Sequence, residues 1–160
     1  MLEEAAIVAR ARALLAGATV GSDAVRASGR VGAAIPVVAP GGAREGWFVP
    51  VLAGDRIAAF FQLLPDGELA RYSSFERRGQ GLGACPPAEV WVDAAAIRRR
   101  VEARARPGEV VGEPALSYDE APARLAWAVP VVGADGVARR VFVAGDAIWE
   151  ARPAGGPMTA

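Results

Sequence analysis

Between Glu3 and Ala16 the apolar side chains Ile7, Ala11, Leu14 and Leu15 recur at helical spacing, whereas from residue 34 onward the apolar period shortens to two. The first pattern predicts a helix over Glu3–Ala16. Glu3 and Glu4 sit at the positive end of its dipole, and Gly17 follows as a stop. A second helix is predicted to start near Asp93, a side chain suited to the N-cap. Ala94, Ile97, Val101 and Ala105 form its apolar stripe, and Pro107-Gly108 ends it.

Strands are predicted after each helix. In the first half they cover Ala34–Ala39, Gly46–Leu52, Ile57–Leu64 and Glu68–Phe75, with turns at Ala53–Arg56 and Pro65–Gly67. In the second half they cover Val110–Tyr118, Arg124–Val132, Val137–Ala144 and Ala147–Arg152, with turns at Asp119–Pro122, Gly133–Gly136 and Gly145-Asp146. Alternation assigns the faces: Leu125, Trp127, Val129 and Val131 share one side of their strand, and Trp47, Val49 and Val51 repeat the pattern. A slip of one residue would turn both indoles outward, so burial pins the register. Pro50 and Pro130 lack a donor N–H, which predicts an edge or a bulge at each.

The two halves are related by an internal repeat. Shifted by 80 positions, segment 47–67 falls on 127–147 without a gap, and 7 of 21 positions are identical: Trp47/Trp127, Val49/Val129, Pro50/Pro130, Val51/Val131, Asp55/Asp135, Ala58/Ala138 and Asp66/Asp146. The expected architecture is therefore α+β, built from two similar units, each with one helix packed on a curved antiparallel sheet. The units are expected at 1–75 and 89–152. A Gly/Pro-rich linker over 76–88 joins them, and a mobile tail is expected over 153–160. Residues 18–33 carry no clear period, and no element is assigned to them.

Composition narrows the chemistry. All 18 basic residues are Arg, balanced by 18 acids, and the chain contains no Lys, His or Asn. The bias toward Ala, Arg, Gly, Pro and Val suggests a GC-rich bacterial genome. Without His there is no imidazole base and no Ser-His-Asp or Cys-His catalysis within the chain. Without Lys there is no Schiff base and no P-loop lysine. Cys85 is the single thiol, so neither an internal disulfide nor a zinc site of the usual type is expected. A site made of carboxylates alone for a hard cation stays open. Zero net charge gives no global attraction to nucleic acid or an anionic membrane. No apolar run approaches the roughly 20 residues of a membrane span, and the acidic start lacks the pattern of a signal peptide. The expected location is the cytoplasm, with no cofactor.

The second half carries Ile97 and Val101 on a helix, then Gly112-Glu113-Pro114-Ala115-Leu116-Ser117-Tyr118, Ala123-Arg124-Leu125-Ala126-Trp127-Ala128-Val129 and Val141-Phe142-Val143-Ala144-Gly145-Asp146. This series resembles the PepSY domain and the related cystatin-like propeptide modules of secreted metalloproteases. In those a helix packs on a curved antiparallel sheet, and a leucine–any–tryptophan strand precedes a hairpin. The resemblance covers residues 93–152 and extends through the repeat to 3–75, although Ala144-Gly145-Asp146 departs from the family hairpin. It implies inhibition, chaperoning or regulation by binding.

Several residues invite a chemical reading. Cys85, near Arg77 and Arg78, is either a reactive thiol or a small linker residue. Gly79-Gln80-Gly81-Leu82-Gly83 has the glycine content of a phosphate loop but is followed by Cys-Pro-Pro, which favours a linker. Arg98, Arg99, Arg100, Arg104 and Arg106 form a basic stretch broken by Glu102, which reads as a solvated helix face. Asp66, Asp119, Glu120 and Asp146 lie where turns account for them. Of the aromatic residues, adjacent Phe60 and Phe61 cannot share a face, so one should meet a second interface or a ligand. Phe60, Phe61, Gln62, Tyr72 and Trp149 are the candidate ligand-binding residues, with no metal ligand and no catalytic residue among them.

Three functions follow in order. The first is a non-enzymatic module binding a protein or peptide through an exposed sheet face or edge strand. The second sequesters an apolar small molecule in an aromatic pocket. The third is an enzyme, such as an isomerase or cyclase, working with Tyr, Asp, Glu or Arg alone.

Overall fold

The computed structural model describes residues 1–119 and 124–151. Glu120, Pro122, Arg152 and the expected tail lie outside that range. In chain order the elements are α1 (Glu4–Ala16), α2 (Asp23–Ser28), β1 (Arg30–Val31), β2 (Ile35–Val38), β3 (Arg44–Ala53), β4 (Arg56–Leu63) and β5 (Leu69–Ser74). The second half follows with α3 (Glu89–Val92), α4 (Ala94–Glu102), β6 (Val110–Val111), β7 (Ala115–Tyr118), β8 (Leu125–Val132), β9 (Ala138–Ala144) and β10 (Ala147–Glu150). The molecule is α+β, with two similar units, each containing a five-stranded antiparallel sheet.

The repeat extends further than the sequence comparison took it. Trp47 pairs with Leu63 as Trp127 pairs with Val143, and Val49 pairs with Phe61 as Val129 pairs with Val141. The same offset carries the Val31–Val51 pair onto Val111–Val131 and the Pro36–Trp47 pair onto Leu116–Trp127. One departure is a bulge between Val51 and Leu52. It leaves Ala58 and Ala59 together in the core under α1 and puts Ile57 in the other cluster.

Both prolines lie in central strands, not at an edge or bulge. On one side of β3 the partner is interrupted between β1 and β2, and Pro50 falls opposite the gap, where its carbonyl accepts from Gly32 N at 2.9 Å. Pro130 sits likewise between β6 and β7, its carbonyl accepting from Gly112 N at 2.8 Å. The missing N–H faces a break in the ladder, so no strand bond is lost. The same break splits the predicted Val110–Tyr118 strand in two. Residues 18–33, unassigned from sequence, hold α2 and β1; Ser22 Oγ caps α2 by accepting from Val25 N. The linker segment 76–88 leads directly into α3, so each unit carries two helices where one was expected. Asp93 caps α4 as its position predicts, accepting from Ala96 N at 3.0 Å.

Each sheet has a helix-facing side and an outer side. In the first unit Trp47, Val49, Val51, Phe61 and Leu63 pack beneath Ile7, Ala11 and Leu15 of α1 and Val25 of α2. In the second, Leu125, Trp127, Val129, Val131, Val141 and Val143 pack against Ile97 and Val101 of α4. The outer side of the first sheet is buried as well. Val37, Phe48, Ile57 and Phe60 belong to the same cluster as Ile97 and Trp127. Trp91 of α3 joins them, its ring centroid 6.5 Å from Phe48 and 5.5 Å from Phe75. Strands β2 and β7 also approach each other, and the Tyr118 hydroxyl donates to Glu45 across the junction. The first sheet is thus covered on both faces, the second unit serving as its outer layer.

Trp47 and Trp127 occupy equivalent places, each 4% exposed, but their indole N–H groups differ. Trp127 Nε1 donates to the Trp91 carbonyl at 2.9 Å, whereas Trp47 Nε1 is buried without a hydrogen-bond partner. Trp127→Phe strands a carbonyl and Trp47→Phe strands nothing. Trp127→Phe should therefore destabilise the protein by about 1 kcal/mol more than Trp47→Phe. Urea denaturation of the two variants checks this, and equal costs would remove the distinction.

Candidate functional site

The five residues singled out from sequence do not converge. Phe60 lies in the interface between units, stacked on Phe48 at 4.7 Å, with the Arg71 guanidinium 5.4 Å from its ring centre. Phe61 is fully buried under α1 and meets the Tyr72 ring at 5.2 Å. Gln62, half-buried, shares the Phe48 side of the sheet. Burial, followed by the Glu76 carboxylate, pushes the Tyr72 phenol above its usual pKa, so it stays protonated at neutral pH. Its hydroxyl is buried without a hydrogen-bond partner. Trp149 lies on the second sheet's outer face, apart from the other four.

That face is where the two units differ. The first sheet's outer side presents Ile35, Val37, Phe48, Pro50 and Phe60, closed by the second unit. At the positions 80 residues on, the second sheet presents Ala115, Ser117, Ala128, Pro130 and Arg140. Pro50 is buried and Pro130 exposed. Large apolar side chains have become small, polar or charged, and a hollow of 220 Å³ opens. Ala115, Ser117, Ala128 and Pro130 floor it, Arg140 flanks it, and the loop from Val38 to Gly42 leans over it from the first unit.

The hollow's polar groups are unusual. Ser117 is 1% exposed, and its hydroxyl has no hydrogen-bond partner, a state that costs about 1–3 kcal/mol. Among the described residues Arg140 has no ion-pair partner; its guanidinium lies 5.6 Å from the Phe142 ring centre. Phe142 stacks on Trp149 at 5.8 Å, Arg124 covers Trp149 at 4.6 Å, and Trp149 Nε1 donates to Asp119 at 3.0 Å. At its other end the same face exposes Val110 (68%) and Val132 (43%), a pair across β6 and β8. An apolar patch, a hollow and an arginine-flanked aromatic pair therefore lie along one side of one sheet, the combination found at recognition surfaces.

The remaining sequence candidates resolve into structure. Cys85 is buried, and burial followed by Glu76 raises its thiol pKa, so the thiol form predominates. The glycine segment leads into a short 3-10 turn, Leu82–Ala84. Within the basic stretch Arg98 pairs with Glu102 at 3.0 Å and with Glu113, Arg100 donates to the Gly145 carbonyl at 2.8 Å, and Arg106 pairs with Glu150 at 3.3 Å. Asp66 closes its own turn by accepting from Glu68 N. Among the described residues no group of three or more His, Cys, Asp or Glu side chains is placed to hold a metal ion, and no helix is long and apolar enough to cross a membrane. A cleft beside the linker, between Arg56, Phe75, Cys85, Trp91 and Asp146, has charges of both signs on its walls. Arg56 there already donates to the Cys85 carbonyl at 3.1 Å.

Sequence reasoning missed Ser117, Arg140, Val110 and Val132. The signal was available: the 80-residue offset already sets Phe48 against Ala128 and Phe60 against Arg140, and extended upstream it sets Ile35 and Val37 against Ala115 and Ser117. No protein-family model matches the chain, and neither a curated protein nor a solved structure matches it.

Two expectations follow. Cys85 should react with Ellman's reagent only as the protein unfolds; rapid labelling of the native protein would contradict its burial. At the helix-facing end of the second sheet Arg139 grips Glu109 through two bonds of 2.7 and 2.9 Å. With the Arg106 backbone N–H, this lowers the Glu109 pKa from the usual 4.5 to about 2. A carboxylate held below its unfolded pKa stabilises fully above that value and progressively less as pH falls. Stability should therefore decline between about pH 4.5 and 2, and Glu109→Gln should flatten that decline in acid denaturation curves.

Proposed function

We propose that this protein is a non-enzymatic binding module with two PepSY-like halves, which takes a protein or peptide partner on the outer face of its second sheet. One observation carries the reading. The equivalent face of the first sheet already works as a docking surface, receiving Trp91 and the core of the second unit, while its counterpart, buried over Ala126, Ala128 and Phe142, exposes Val110, Val132 and Pro130. Free sheet edges support it: among the described residues β5 and β10 each pair on one side only, so an extended segment has a strand to join beside Trp149. The buried, unpaired Cys85 fits a reducing compartment such as the cytoplasm. A small-molecule pocket built from Phe60, Phe61 and Tyr72 has less support, because these rings divide between two faces and pack into cores.

A photoreactive amino acid at Val132 should yield a covalent adduct with the partner in host extracts, whereas the same group at Leu64, 39% exposed on the first unit, should not. Once the partner is identified and purified, Val132→Asp should weaken its binding about tenfold, or about 1.4 kcal/mol, without altering thermal unfolding. Adducts at Leu64 in place of Val132, or none at either position, would overturn the reading.

A further inference from the structure

The free edge of β10 specifies what can join it through its backbone, the charges beside it and the shape behind it. We infer that it takes up an extended acidic peptide segment as a sixth, antiparallel strand, with acidic residues at two positions two apart and an apolar residue between them. This deepens the docking role proposed above and rests on it. Ala151 N donates to the Arg140 carbonyl at 3.0 Å, and Trp149 pairs with Phe142. Backbone groups alternate in direction along an antiparallel strand, so those of Ala147, Trp149 and Ala151 point to β9. Those of Ile148 and Glu150 point away, where no strand stands among the described residues. Two donors and two acceptors are therefore free for an added strand.

Charge selects the acids. Arg140 on β9 and Arg124, just before β8, stand on the outer face, and among the described residues neither forms an ion pair. Arg124 reaches across β9 and sets its guanidinium 4.6 Å from the Trp149 ring centre. Its charge therefore lies over β10, one strand spacing of about 4.8 Å from the added segment. Arg140 lies opposite Ala151, two residues further along β10. It is two strand spacings from the segment, within reach of an extended glutamate side chain. Residues of the segment facing Trp149 and Ala151 share one side, so an acid at each position meets its own guanidinium. Of the nearby acids, Asp119 is held by Trp149 Nε1 at 3.0 Å, and Asp146 lies in the β9–β10 turn, at the end of β10 away from Ala151. Shape selects the residue between. It faces Glu150 on the helix side, where Val101, Val141 and Ile148 wall a hollow of 170 Å³, room for one aliphatic side chain. Glu150 is itself held by Arg106 and Arg139, so its charge is compensated.

The test is an amide-resolved NMR titration of the full chain with three probes: N-acetyl-Thr-Glu-Val-Glu-Thr-amide, the same peptide with Gln in place of both Glu, and the Glu peptide with an N-methylated Val. The Glu peptide should shift the Ile148, Trp149 and Glu150 resonances saturably at millimolar concentration and slow hydrogen exchange at the Ile148 and Glu150 amides. The Gln peptide should bind about tenfold more weakly, the effect of losing two exposed ion pairs. The N-methylated peptide lacks the N–H that faces β10 and should bind about tenfold more weakly as well. Arg124→Gln and Arg140→Gln should each weaken the Glu peptide about threefold to fivefold and leave the Gln peptide unchanged, a pattern that a loss of folding does not give. No saturable shift at β10, equal binding of the Glu and Gln peptides, or undiminished binding of the N-methylated peptide would overturn the inference, as would shifts centred on β5. The outcomes separate from those of the broader reading. Adducts at Val132 without peptide binding sink this inference alone, whereas peptide binding at β10 without Val132 adducts upholds the edge and sinks the wider placement of the partner.

Discussion

Trp91 holds the architecture together. Its ring lies against Phe48 and Phe75 on the outer side of the first sheet, while its carbonyl accepts the indole N–H of Trp127 in the core of the second unit. A sheet with apolar residues on both faces must be covered on both, and here the second cover is the next copy of the same unit. The aromatic rings supply buried area and preferred geometry together, and the Trp127 hydrogen bond fixes the depth at which Trp91 sits. Separated from its partner, the first unit would expose Phe48, Phe60, Ile57 and Val37 as one patch, of a kind soluble proteins rarely leave open. The two similar units form one packed body with a direction: helices, sheet, helices, sheet.

That direction gives the second sheet its character. Its central strands keep the register of the first sheet from Trp47/Trp127 to Val51/Val131, and both indoles keep the same burial, yet the outer face has diverged. Ala128 replaces Phe48 and Arg140 replaces Phe60, removing the side chains that would demand another layer. Val110 and Val132 remain apolar and open.

The groups with shifted ionisation fit this picture. Cys85 and Tyr72 are pushed toward their neutral forms by burial, while Glu109 is fixed as a carboxylate by Arg139. Each shift follows from packing or from an ion pair that locks elements together. The arginine-only basic set favours planar, multiply bonded pairs, and the Arg139–Glu109 contact shows the result.

Alternation and helical spacing in the sequence determined α1, α4, the strand positions and which face each Trp occupies, because these depend on local periods of two and 3.6 and on burial. The 80-residue offset related the two halves, and the structure carries that relation onto the pairs their central strands share. Shorter elements were not legible: α2 is six residues long with Val25 as its one buried side chain, and α3 is a four-residue turn, too little for a period to show. Pro50 and Pro130 led to the expectation of an edge or a bulge; only the structure showed each in a central strand, its missing N–H facing a gap between two neighbouring strands. Tertiary structure alone decided that Phe60 faces the other unit and that Ser117 and Arg140 share a hollow. Those relations depend on how the two sheets pack against each other, and no local period in the chain records that contact.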